Sequence, residues 1–119
     1  MNTSEYVELV KNAVINQVRV KTINEIYGTQ VNTLIAKIIS LADTVDFFDV
    51  ERRALSYVEI SKPREIMEID FISRRQIPLI DVYDNTYIVF SIDDKQYSLY
   101  NATDDLSFKN SDTFEELLK

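Results

Sequence analysis

A chain of 119 residues, 45% hydrophobic and 28% charged, is sized for one domain around a single core. It has no cysteine and no histidine, which removes disulfides, thiolate nucleophiles and the commonest general base and metal ligand together. Gly28 is the only glycine, which excludes a glycine-rich phosphate loop, and 20 acids against 13 bases (net −7) disfavour nucleic acid and anionic membranes as partners.

From Glu5, residues Tyr6, Leu9, Val10, Ala13 and Val14 recur at helical spacing, with Ser4 expected as the N-cap. A second helical piece is predicted over Thr22 to Tyr27, stopped by Gly28 in a left-handed conformation. A third runs from about Val31 to Ala42, with Val31, Leu34, Ile35, Ile38 and Leu41 on one face. Asp43 to Asp49 reads as a polar break holding the aromatic pair Phe47 and Phe48, and Glu51 to Leu55 as a short strand. Ser56 with Glu59 three positions on has capping-box spacing and opens a short helix, interrupted near Pro63. Ile66 to Ile69 is ambiguous between helix and loop.

Pro78 marks an edge position or the first residue of a strand, because proline cannot donate to a ladder. Strands are predicted at Leu79 to Val82, Tyr87 to Ile92 and Gln96 to Tyr100, joined by turns at Asp84-Asn85 and Asp93-Asp94. Asp112 and Glu115 have the spacing of another capping box, opening a C-terminal helix that docks through Phe114, Leu117 and Leu118. Helices first, sheet later and a helix last make a single α+β domain over residues 1–119. No run approaches the roughly 18 apolar residues of a membrane span. The opening residues carry Glu5 and Glu8 where a signal peptide has positive charge, so a soluble cytoplasmic protein is expected.

The charge is uneven: eight acids face seven bases before Pro63, and twelve face six from there on. Asp81, Asp84, Asp93, Asp94, Asp104 and Asp105 are the one chemical constellation. Paired carboxylates about 5–10 Å apart could act as acid and base, and oxygen ligands could hold a hard cation. Yet the spacing fits no calcium loop and falls where turns belong, so turn formation and surface charge explain these residues better. Seven tyrosines, five of them from Tyr57 onward (Tyr57, Tyr83, Tyr87, Tyr97, Tyr100), are either strand core or interface anchors. Arg52-Arg53 and Arg74-Arg75 are expected to pair with nearby aspartates.

Taken in order, several of these segments resemble the SUKH superfamily, in its Smi/Knr-like branch. The resemblance is carried by Glu51 to Ile60 (ERRALSYVEI), Ile77 to Asp81 (IPLID), Asp84-Asn85, Tyr87 to Phe90 (YIVF), Tyr97 to Asn101 (YSLYN), Asp104-Asp105 with Phe108, and Phe114 to Leu118 (FEELL). The N-terminal part departs from the pattern: Gly28 to Asn32 lacks the proline step of many members, and no Asn-Gly pair follows. The resemblance implies an α+β fold, with N-terminal helices packed on a curved, mostly antiparallel sheet and a C-terminal helix. It also implies a non-enzymatic immunity protein of a bacterial polymorphic toxin system, needing no cofactor or metal. Such a protein binds a toxin domain, often a nuclease, and occludes its active site. A basic toxin domain would complement the acids, and the expected contact residues are Tyr83, Asp84, Asn85, Asp93, Asp94, Asp104 and Asp105. The alternative is a regulatory scaffold of the cell-wall-assembly-regulator type that binds cellular proteins.

Overall fold

Three asparagines start the first three helices. In the computed structural model, which describes residues 1–119, α1 spans Thr3–Lys11, α2 Gln17–Tyr27 and α3 Thr33–Leu41. Asn2, Asn16 and Asn32 each accept the backbone N–H three residues on, from Glu5, Arg19 and Ile35. Such a cap contributes about 1 kcal/mol per helix. Asn2, not Ser4, is therefore the first cap, and Glu5 completes its box. α2 begins five residues before the predicted start, because its first turn points Val18 into solvent and shows no apolar stripe. It ends as predicted at Gly28, with φ 65°. The α3 core face runs through Ile35, Ala36, Ile38 and Ile39, and Leu34 and Leu41 stand at its margins.

Six strands follow sequence order in one open antiparallel sheet: β1 Phe47–Asp49, β2 Arg52–Ala54, β3 Gln76–Val82, β4 Thr86–Ser91, β5 Gln96–Asn101 and β6 Leu106–Ser111. Between β2 and β3 lie α4 (Tyr57–Ser61), with the Ser56–Glu59 capping box in place, and α5 (Pro63–Met67), where Pro63 sits in the first turn. β1 and β6 escape sequence reading. β1 is three residues long inside a polar stretch. Every residue of β6 up to Asn110 is exposed, so no buried alternation marks it.

Pro78 is neither first in its strand nor on an outer strand. It is the third residue of β3, tolerated because β2 has already ended beside Ile80 and a bulge at Leu79 follows. That bulge places Ile77 and Ile80 on one side of the sheet, both fully buried. A second bulge lies in β6, where Lys109 takes φ 53°. The sheet coils without closing: Gln76 Nε2 of β3 donates to Ser107 Oγ of β6 at 3.2 Å, across two intervening strands.

Both sides of the central strands are covered. On one, Phe71 packs edge-on against Tyr87 and Tyr100. On the other, Tyr97 meets Phe90 and Phe114 and its hydroxyl receives Asn32 Nδ2 at 3.2 Å. α1 seals β1 by stacking Tyr6 on Phe48 at 4.1 Å. The predicted C-terminal helix is a single 3₁₀ turn, Glu115–Leu118, and Asp112 does not cap it. Ser111 Oγ instead accepts the Thr113 N–H at 3.1 Å. Phe114, Leu117 and Leu118 are nevertheless buried as expected. No helix is long and apolar enough to cross a membrane.

Candidate functional site

The antiparallel order alone decides which turns share an end of the sheet. The β1–β2, β3–β4 and β5–β6 connections fall at one end, here the upper rim, and the β4–β5 turn falls at the other, the lower rim. Hydrogen bonds tie the upper turns together. Tyr83 N donates to Glu51 O at 3.0 Å, Ala102 N to Asn85 O at 2.9 Å, and Asn85 Nδ2 to Thr103 Oγ1 at 3.0 Å. Asn101 Nδ2 also donates to Asp84 O at 3.2 Å. Tyr83, Asp84, Asn85, Asp104 and Asp105 therefore come together, joined by Asp49 and Glu51. Asp93 and Asp94 lie at the lower rim, about 17 Å away along six-residue strands. The seven predicted contact residues do not form one surface.

Asp84 and Asn85 adopt φ 66° and 57°, the two consecutive left-handed positions of a tight hairpin turn that aspartate and asparagine tolerate best. The β4–β5 and β5–β6 loops share a different geometry, four residues with a left-handed last position at Lys95 and Asp105.

The acids differ most in how they are compensated. At the lower rim Asp93 receives Arg75 Nε at 2.8 Å and Asp94 receives Ser91 Oγ at 3.2 Å. At the upper rim the exposed Asp105 is paired with Arg74 at 2.7 Å and accepts the Tyr100 hydroxyl at 2.9 Å. Asp49 lies 3.7 Å from Arg52. Glu51, Asp84 and Asp104 make no ion pair, and all three are exposed.

Beneath the rim sits the one strongly coupled charge network. Arg53 bonds both oxygens of Glu59, at 2.8 and 2.9 Å, and Asp81 at 3.0 Å. Burial pushes the Glu59 carboxyl up. The Arg53 guanidinium, the Ser56 N–H and the Arg53 charge outweigh it and hold Glu59 below the usual range. All four paired arginines thus meet carboxylates, as their positions suggested.

The tyrosines divide sharply. Tyr87, Tyr97 and Tyr100 belong to the core and Tyr57 is half-buried under the Arg19 guanidinium. Tyr83 alone of the five is exposed, at 71%. Sequence reading missed Phe47, which is 61% exposed because β1 alternation sends it away from Phe48 and α1. Its signal was the strand alternation hidden in a three-residue element.

No three acids stand close enough together to hold a metal ion. The largest concavity, a shallow groove of about 740 Å³ between α2 and α3, has one carboxylate, Glu25, and one base, Lys21. Amides and hydroxyls such as Gln17, Asn24, Gln30 and Thr33 line it together with the apolar Ile15, Val20, Val31 and Ala36. No family model, curated protein or solved structure matches this chain.

Proposed function

We propose that this protein is a non-enzymatic, cytoplasmic immunity protein that neutralises a basic, nuclease-like toxin domain by covering its active site. The observation that carries this reading is the upper rim: three uncompensated carboxylates, Glu51, Asp84 and Asp104, beside an exposed tyrosine, with no free cation among them. A cationic cleft built for phosphates would meet carboxylates of the same sign, and electrostatic steering would speed the encounter. Asp93 and Asp105, each paired with an arginine, contribute less to such a surface than their place in the sequence implies. The resemblance to the SUKH superfamily supports the same reading.

The test is co-expression with the toxin encoded beside this chain. Survival of the cells, and a stable one-to-one complex on a sizing column, are the expected results. Continued killing together with no complex removes the immunity reading. Absence of any secreted toxin gene nearby, with weak binding to a cellular protein instead, selects the regulatory scaffold.

A further inference from the structure

The hairpin tips are the rim of a surface whose centre lies one residue row lower. Alternation along β1, β2 and β3 puts Phe47, Arg53 and Asp81 in one cross-strand row and Glu51 and Tyr83 in the next, all on the same side. The opposite side of β1 is closed by the Tyr6–Phe48 stack. On the outer side the Glu59 carboxylate of α4 reaches over to Arg53, and the row continues through Tyr87 to Tyr100, which Phe71 covers. Two large aromatics, Phe47 and Tyr83, thus stand in solvent beside an internally neutralised ion cluster, where neither adds to the core. Val50, 92% exposed at the β1–β2 turn, extends the apolar area towards the rim.

We infer that this outer side of β1–β3 is the docking surface, with Phe47 and Tyr83 as its anchors and Glu51 between them. The inference rests on the toxin-binding reading and specifies its surface. The occupant is a protein patch presenting arginine or lysine against apolar contacts. An arginine laid over either ring meets the π face while its fork reaches Glu51, and the unpaired Asp84 adds further negative charge beside that contact. Arg52 and Arg53 do not repel such a partner, because Asp49, Glu59 and Asp81 already neutralise them. The same rim repels phosphates, so neither nucleic acid nor an anionic bilayer fits here.

The experiment measures, by calorimetry, binding of the full chain to the catalytically inactivated toxin domain encoded beside it. Phe47→Ser and Tyr83→Ser are each expected to weaken binding about 30-fold or more, as central aromatic anchors do. Glu51→Lys is expected to weaken it further and to flatten its salt dependence. Asp93→Lys with Asp94→Lys, at the lower rim, is expected to change binding by less than about 5-fold, the scale of a rim charge. All these side chains are exposed, and unchanged thermal unfolding confirms that each variant folds. Should the lower-rim pair abolish binding while Phe47→Ser and Tyr83→Ser leave it intact, the surface is overturned and the immunity reading stands. Should the unaltered chain not bind the toxin at all, both fall.

Discussion

The two ends of the sheet are built from the same residue types and behave oppositely. At the lower rim Arg75 takes Asp93 and Lys95 adds a base to the turn, while Asp94 bonds only the neutral Ser91 hydroxyl. At the upper rim three turns converge with more carboxylates than arginines to meet them, and Glu51, Asp84 and Asp104 remain uncompensated. A count of aspartates along the chain does not show which of them keep their charge free. The difference lies in which arginine each acid can reach, and only carboxylates left without one offer a partner their full charge.

The largest expected effect lies beneath the upper rim. Arg53→Met strands Glu59 and Asp81 without their cation, and for a partly buried network the expected loss is about 2 kcal/mol, read from urea unfolding at pH 7. The pH dependence sharpens this. Glu59 is held below its unfolded value of about 4.3. Its stabilising contribution is therefore present above that pH and is lost as pH falls through the lower, folded value. Unfolding of the unaltered chain should show this acid loss, and Arg53→Met should show less of it. A variant equally stable at pH 7 would mean that the network contributes nothing.

The support behind the rim is probed by Tyr6→Phe. The Tyr6 hydroxyl is buried and has no hydrogen-bond partner, so only the stacked ring contributes to packing against Phe48. Removing the hydroxyl should leave stability unchanged or raise it by up to about 1 kcal/mol, seen as an upward shift in Tm. A clear loss would show that the hydroxyl is satisfied in solution.

The two four-residue loops make a direct contrast. Lys95 holds φ 55° at the cost of a strained left-handed backbone, and its side chain forms no ion pair. Lys95→Gly should stabilise by about 0.5–1 kcal/mol in chemical unfolding. Asp105→Gly relieves the same strain at φ 52° but forfeits Arg74 and the Tyr100 hydroxyl, so no gain is expected. The smallest effects concern exposed charge. Arg75→Gln should cost less than about 1 kcal/mol, and Asp84→Asn should shift stability by no more than about 0.5 kcal/mol. A larger loss from Asp84→Asn would mean that this acid is structural and not free.

Local chemistry in the chain announces much of this architecture. Gly28 as a helix stop, Ser56–Glu59 as a helix start and the aspartate turns between β-branched runs follow from the short-range preferences of those residues. The α2 start was legible too, in Asn16, but no buried stripe drew attention to it. β6 was not, since an exposed outer strand carries no hydrophobic alternation. Its Lys109 and the bulge there blunt the free edge against pairing with another strand. Phe47 was hidden for a related reason: a three-residue strand is too short for periodicity to show which of two adjacent phenylalanines faces out.

From residue types and spacing alone came the α+β class, the hairpin turns, the acidic surplus and the absence of cysteine and histidine chemistry, because each depends on neighbours a few positions away. Tertiary structure decided the rest. Strand direction alternates, so turns two apart in the chain share an end, and this brought Glu51 to Tyr83 while sending Asp93 and Asp94 away. Which carboxylate keeps its charge free was likewise settled by the coiling sheet, which carries Arg74 across to Asp105 and leaves Asp84 and Asp104 with no arginine in reach.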